Sequence, residues 1–363
     1  MIRVFDFFSG CGGTSAGLRE AGMDIVLGID CDADAALTFA RNFPTAHFLL
    51  GDIRRITPDD ISPLIENCGQ DPLLFCGCAP CQPFSSQRST KKHPRRGRDL
   101  LNEFRRFVEE FEPAFVLCEN VPGLQDVSGE RGPFAAFCAS LKSRGYGYVT
   151  KVIECQDYGV PQMRRRLVLL ASRVGPVQIP APTHGPKAKQ QYSTVGEWIS
   201  GLPRLNAGQT HHRDPVHRAM RLSPLNLERI KSTPPGGSRL DWPHHLNLRC
   251  HSQSRSGDAP YRGHTDVYGR MRADRPAPAL TTRCVSISNG RYGHPTQHRA
   301  MSVREAACLQ TFAREFEFVG SLVSMARQIG NAVPVLLAER LGREFMRTWR
   351  AASTKGSREV RYG

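Results

Sequence analysis

Apolar runs alternate with amphipathic stretches through the first half of the chain. Ile2–Phe8 is apolar and β-like, and a glycine-rich turn, Ser9-Gly10-Cys11-Gly12-Gly13, follows it. The polar and apolar spacing then predicts a helix from about Thr14 to Ala21, stopped by Gly22. Ile25–Ile29 reads as a second strand ending in Asp30, and Asp32 can cap a helix running to about Asn42. His47–Leu50, Leu73–Cys76 and Ala114–Cys118 read as further strands, and Leu100–Phe111 and Pro133–Ser143 as helices. Val149–Ile153 and Leu167–Ala171 are later strands. Runs this apolar are buried on both faces, and the strand–helix rhythm predicts an α/β fold with a doubly wound, mostly parallel sheet.

The pattern changes after Ser172. Residues 172–270 are rich in Pro, Gly, His and Arg with weak periodicity, which suggests an irregular second domain or insertion. Helical periodicity returns in Ser302–Thr311 and Val333–Trp349, and the polar, basic Ala351–Gly363 is expected to fray. A length of 363 residues exceeds the usual span of one core, in keeping with one large and one smaller domain.

Charge adds a partner. The net charge of +15 and pI near 9.6 point to an acidic partner, nucleic acid first, over a merely basic solvated surface. The twelve cysteines could suggest disulfides. However, Met1–Phe8 lacks the basic and apolar regions of a secretory signal, and no apolar stretch is long enough to span a bilayer. An intracellular chain with reduced thiols is therefore expected.

Polar groups at the carboxyl ends of parallel strands line the ligand crevice of such a sheet. Three segments qualify: Pro80-Cys81-Gln82 after the Leu73–Cys76 run, Glu119-Asn120-Val121 after Ala114–Cys118, and Gln162-Met163-Arg164-Arg165-Arg166. A thiol, an acid and a basic cluster at one edge suit attack on an electron-poor ring of a polyanion. Flanking Pro80 and Pro83 remove Cys81 from regular structure, and Arg164 and Arg166 are candidates to favour its thiolate. Cys76, Cys78 and Cys81 are close enough to suggest zinc, but no second ligand pair lies nearby, so no metal is expected. The run Arg88, Lys91, Lys92, His93, Arg95, Arg96, Arg98 directly follows the candidate nucleophile, which favours phosphate contact over a solvated face.

At the other end of the crevice, Asp30 lies about twenty residues past Gly10, the spacing of a carboxylate that accepts ribose hydroxyls. A glycine-rich turn alone is a weak signal. This one lacks the G-x-G-x-x-G order, which tilts the reading from NAD towards S-adenosylmethionine. Asp52 could hold an adenine amino group or be an ordinary loop carboxylate.

Taken in order, these residues resemble the DNA (cytosine-5) methyltransferases, mostly bacterial modification enzymes, over nearly the whole chain. The resemblance rests on Asp6–Leu18, Asp30, Gly51-Asp52-Ile53, Pro80-Cys81-Gln82, Glu119-Asn120-Val121 and Gln162 with Arg164 and Arg166. It continues in Arg275-Pro276-Ala277-Pro278 with Thr281-Thr282, and in Arg327–Pro334. It implies methyl transfer from S-adenosylmethionine, leaving S-adenosylhomocysteine, to carbon-5 of a cytosine flipped out of duplex DNA. Cys81 would attack carbon-6, Glu119 would hold ring N3, and Arg164 would contact the ring carbonyl or its surroundings, with Pro80, Asn120, Gln162 and Arg166 about them. Phe8, Gly10, Gly12, Gly13, Asp30, Asp52, Ile53, Leu100, Asn331 and Val333 would surround the cofactor.

By the same resemblance residues 1–183 form the catalytic and cofactor-binding domain and 184–270 the target-recognition domain. Residues 271–350 return to complete both, and 351–363 form a flexible tail. The spacings of His211, His212, His217, His244, His245, Cys250, His251 and His264 fit no standard zinc site, so solvated or DNA-facing histidines are expected. The resemblance further implies a cytoplasmic, nucleoid-associated monomer, with a cognate restriction endonuclease acting separately. Asp30 stands where the family more often has glutamate, Cys31 where an aromatic often packs on adenine, and Ala79 where many members have proline. An RNA cytosine methyltransferase would use the same residues, and the basic, extended recognition region favours DNA.

Overall fold

In a computed structural model of the chain, residues 1–79, 100–123, 132–248 and 265–359 are described. They fall into two compact units. The first comprises residues 1–158, 165–183 and 332–363, and the second 159–164 and 184–331.

The first unit is built on a seven-stranded sheet. Its strands are β1 (Arg3–Phe7), β2 (Asp24–Asp30), β3 (His47–Leu50), β4 (Leu73–Gly77), β5 (Phe115–Asn120), β6 (Gly147–Glu154) and β8 (Arg165–Ser172). The order across the sheet is β3-β2-β1-β4-β5-β8-β6. The first five strands run parallel, and β8 pairs antiparallel with both β5 and β6. Helices α1 (Gly13–Glu20), α2 (Ala33–Asn42), α3 (Ser62–Glu66), α4 (Leu100–Phe111) and α5 (Pro133–Ser143) connect them. Asp32 caps α2 through its carboxylate, which accepts the Asp34 N–H at 3.1 Å. Phe5, Phe7, Phe75, Phe104 and Phe107 form the aromatic centre of the core, their rings meeting at 5.0–5.4 Å in tilted and edge-on pairs.

The topology reverses between β1 and β4. A chain leaving β1 turns to one side of the sheet and a chain leaving β4 to the other, so their carboxyl ends open a crevice. The glycine-rich turn follows β1, Asp30 closes β2, and Glu119 and Asn120 close β5.

The helix Val335–Glu359 belongs to this unit although about 150 residues separate it from the preceding segment. It continues past Trp349, and the backbone through Glu359 is helical where the sequence suggested fraying. Ala351 and Ala352 are good helix formers and extend it. It lies directly on α1. A Cβ placed on Gly17 would stand 2.2 Å from the Val335 carbonyl oxygen, so only glycine permits this approach. Phe345 on the same helix meets Phe115 at 5.2 Å.

The second unit has little sheet. Strand β7 (Gln162–Met163) pairs with β9 (Ala277–Pro278). Helices Val195–Ile199, Pro224–Ser232, Val303–Leu309 and Leu322–Asn331 supply its regular structure. The first two lie in the stretch that looked irregular. They are short, and their identity lies in their caps. Thr194 and Ser223 accept backbone N–H bonds from Glu197 and Asn226. His217, expected at the surface, is fully buried, with its ring nitrogens 2.9 Å from Ser302 Oγ and 2.8 Å from the Pro203 carbonyl oxygen. His212, His244 and His245 are exposed, and Cys250, His251 and His264 lie outside the described residues. Among the described residues no group of side chains has metal-ligand geometry.

Candidate active site

The crevice begins at the turn after β1. Phe8 has φ 61°, a left-handed conformation that costs a non-glycine residue about 1–3 kcal/mol and is retained where the surroundings enforce it. Here the turn is stitched to β2. The Ser9 N–H donates to the Ile29 carbonyl at 2.9 Å, and the Gly10 N–H donates to Asp30 Oδ2 at 2.8 Å. Asp30 Oδ1 accepts the Asp32 N–H at 3.0 Å. Burial pushes the Asp30 carboxyl above its usual range. Asp30 thus first shapes the turn. Each of its oxygens has a second lone pair for a ligand hydroxyl. Gly12 has φ 92° and caps α1 without a side chain, and Gly13 opens the helix. No atom lies within 4 Å of the position a Gly10 Cβ would take, so the turn is open above its backbone.

Asp52 follows β3. It accepts the Arg54 N–H at 3.1 Å and pairs with the Arg54 guanidinium at 3.0 Å. The Arg54 backbone bond, followed by its side chain, holds the Asp52 carboxyl below its usual range. Ile53 is buried beneath it, and Leu100 begins α4, half-buried against the core. Val333 is buried in the first unit, whereas Asn331 ends the helix Leu322–Asn331 of the second and is exposed.

Behind the turn lies a group the sequence did not single out. Asp6 is fully buried in β1, opposite Cys76 of β4. Its Oδ2 accepts the Ser15 hydroxyl at 2.6 Å, and its Oδ1 has no partner. Burial pushes the Asp6 carboxyl up to about 7. Thr14 Oγ1 lies 3.6 Å from Cys78 Sγ just past β4, and burial raises the Cys78 thiol as well. The legible signal was a carboxylate inside an apolar strand.

At the end of β5, Glu119 is only 7% exposed, and its Oε1 lies 2.7 Å from Arg166 Nε. Arg166 belongs to β8, the antiparallel neighbour of β5, which brings the two side chains together. Asn120 Nδ2 donates to the Ala79 carbonyl at 2.9 Å, tying β5 to the segment that leads into Pro80 and Cys81. Pro80, Cys81 and the basic run containing Arg88, Lys91, Lys92, Arg95, Arg96 and Arg98 lie outside the described residues.

Arg164, expected at the ring, is turned into the second unit. Its guanidinium donates to the carbonyls of Leu280 at 2.9 Å and Gly330 at 3.3 Å, and the residue is 3% exposed. Gln162 is equally internal. It donates to Gln310 Oε1 at 2.6 Å and accepts the Leu280 N–H at 2.9 Å. In the described geometry, Arg166 is the guanidinium beside Glu119.

Comparison with known proteins agrees with this arrangement. Residues 2–347 match the family of C-5 cytosine-specific DNA methylases. The Type II methylase M.HgiDII of Herpetosiphon aurantiacus is 40% identical over 349 residues, 95% of each chain. The Type II methyltransferase M1.HphI of Haemophilus parahaemolyticus is 32% identical over 351 residues, 95% of this chain and 87% of that one. The fold is shared with Spodoptera frugiperda DNMT2 at TM-score 0.62 and 16% identity, over 96% and 99% of the two chains. It is also shared with the methyltransferase EhMeth of Entamoeba histolytica at 0.61 and 14%, over 96% and 99%. With a sheet whose crevice gathers the cofactor turn and the glutamate–arginine pair, the chain belongs to the C-5 cytosine-specific DNA methylases.

Proposed function

We propose that this DNA cytosine-5 methyltransferase acts through Cys81 as nucleophile, with Glu119 and Arg166 as its partners on the target ring. The observation that carries the proposal is convergence at the sheet's switch point. The turn after β1, the segment after β4 that leads to Cys81, and the Glu119–Arg166 pair at the ends of β5 and β8 share one edge.

Carbon-5 of cytosine is too weak a nucleophile to accept a methyl group unaided. Addition of the Cys81 thiolate to carbon-6 makes carbon-5 enamine-like. Glu119 stabilises the added ring at N3, and Arg166 fixes the glutamate and presents its remaining N–H groups to the ring carbonyl. Carbon-5 then gains the methyl group and loses its proton, and the carbon-6–sulfur bond breaks to return Cys81. S-adenosylmethionine, when bound, supplies that methyl group on an electrophilic sulfonium. The open backbone above Gly10, the Gly12–Gly13 start of α1 and the second lone pairs of Asp30 fit its amino-acid and ribose parts. Phe8 and Ile53 shape the same pocket.

The basic run from Arg88 to Arg98 is assigned to phosphate contact. Residues 184–270 are assigned to sequence choice, because flipping and methylation need the same groups whatever the flanking bases. The chain is read as a cytoplasmic, nucleoid-associated monomer that works apart from a cognate endonuclease. Among the described residues no helix is long and apolar enough to cross a membrane.

Duplex DNA carrying 5-fluorocytosine tests the covalent step. With S-adenosylmethionine the protein forms a denaturation-resistant adduct, and Cys81→Ser abolishes it. A persisting adduct would refute the role of Cys81.

A further inference from the structure

The second unit holds most of the chain's net positive charge: 22 lysines and arginines against 10 aspartates and glutamates, +12 of the total +15. Several of its guanidiniums are buried, and five are hydrogen-bonded to oxygens. Arg164, Arg229 and Arg270 donate to backbone carbonyls, and Arg299 and Arg304 to carboxylates. Arg239 differs. It is 6% exposed, its Nε is enclosed without an acceptor, and among the described residues its terminal amines have none either. A buried donor without an acceptor is costly, and its persistence in a cationic side chain points to a partner brought by a ligand.

The surroundings of Arg239 are fixed. It opens a short 3₁₀ turn, Arg239–Asp241, in which the Asp241 carboxylate is committed to the Ser238 N–H at 2.7 Å. Upstream, Arg291 Nη1 donates to the carbonyls of Gly236 at 2.6 Å and Gly237 at 2.7 Å. The Arg270 N–H donates to the Gly237 carbonyl at 3.0 Å. Downstream, the Trp242 indole donates to Thr233 Oγ1 at 2.8 Å. Leu240, between the anchored residues, is 67% exposed. The anchored turn therefore carries an exposed apolar side chain, Leu240, next to a guanidinium on a buried stem, Arg239.

We propose that Arg239 reads a guanine of the methylated sequence, donating to its O6 and N7 from the major groove, with Leu240 packed against the neighbouring base. The inference rests on the DNA-methylating activity described above. A duplex containing a target cytosine necessarily contains a guanine. A guanidinium held in place loses little freedom on forming the two-pronged contact. Phosphate contact does not need such a buried stem, and exposed Arg275 and Arg283 in the same unit can serve it.

The test uses the full chain. The parent's methylated motif is defined by sequencing DNA from expressing cells, and kcat/KM is then measured on duplexes with single guanines replaced by 7-deazaguanine. One replacement should lower the parent's rate about tenfold or more. Arg239→Ala should lose that sensitivity, relax the motif at the same position and retain the salt dependence of binding. A variant that keeps the motif while its salt slope falls by about one would make Arg239 a phosphate contact and overturn the assignment. If no replacement affects the parent, the assignment fails whether or not the variant folds. A parent that methylates no duplex DNA would overturn the activity itself, whereas an active parent with any of the other adverse results overturns Arg239 alone.

Discussion

Asp6 should make the stability of the protein fall as pH rises towards neutrality. The carboxyl is fully buried, accepts one hydroxyl, and leaves Oδ1 without a partner, so the neutral form is favoured. Asp30 adds repulsion from the neighbouring strand, and the thiols of Cys76 and Cys78 supply no positive charge. In the unfolded chain the group ionises near 3.8, whereas in the fold it does so at about 7. Between these values the folded state holds a proton that the unfolded state has released. Its contribution is thus fully present below 3.8 and lost as pH rises through about 7, with a slope of about 1.4 kcal/mol per pH unit. From pH 5.5 to pH 8 the loss amounts to about 2 kcal/mol. Asp6→Asn removes the titration. Urea unfolding of parent and variant across this range isolates Asp6, because other titrating groups are common to both. The variant's stability relative to the parent should rise by about 2 kcal/mol. A difference that stays constant with pH would refute the reasoning.

Glu119→Gln should lower kcat strongly while DNA and cofactor binding measured by titration change little, since the carboxylate matters most in the transition state. Arg166→Lys should lower turnover in the same way, whereas Arg164→Lys should lower the melting temperature first, because its guanidinium bonds the internal carbonyls of Leu280 and Gly330. Asp30→Ala should weaken S-adenosylmethionine binding by about 1–3 kcal/mol in calorimetry, through loss of both a ligand acceptor and the anchor of the Gly10 turn. Gly17→Ala should destabilise the first unit by about 1–3 kcal/mol in urea unfolding, because its methyl group meets the Val335 carbonyl.

The parallel strands were legible because each is mostly apolar, and α4 and α5 because their apolar faces repeat cleanly. The helix Leu322–Asn331 was not. Ser324, Gln328 and Gly330 dilute its buried face, and its start depends on Ser321 accepting the Ser324 N–H. At the site, the sequence placed Asp30 and Glu119 at strand ends but could not divide labour between Arg164 and Arg166. The two differ because Arg164 falls between two strands of different sheets while Arg166 lies in β8. The state of Asp6 and Arg239 was not legible because only tertiary structure encloses a polar atom, Asp6 Oδ1 or Arg239 Nε, without a hydrogen-bond partner.

The contact between α1 and the helix Val335–Glu359 sets a clock on synthesis. Gly17, in the helix that follows the glycine-rich turn, is covered by Val335, and Phe115 by Phe345. At about 5–20 residues per second, translating the ~150 intervening residues takes roughly 7–30 s, during which the first sheet waits on the ribosome with that surface bare. A nascent chain is therefore a client for chaperones before it is an enzyme. The face of α1 that carries Gly17 is thus completed only when residues 335–359 have been made, and the order of synthesis makes the helix nearest the glycine-rich turn one of the last to be covered.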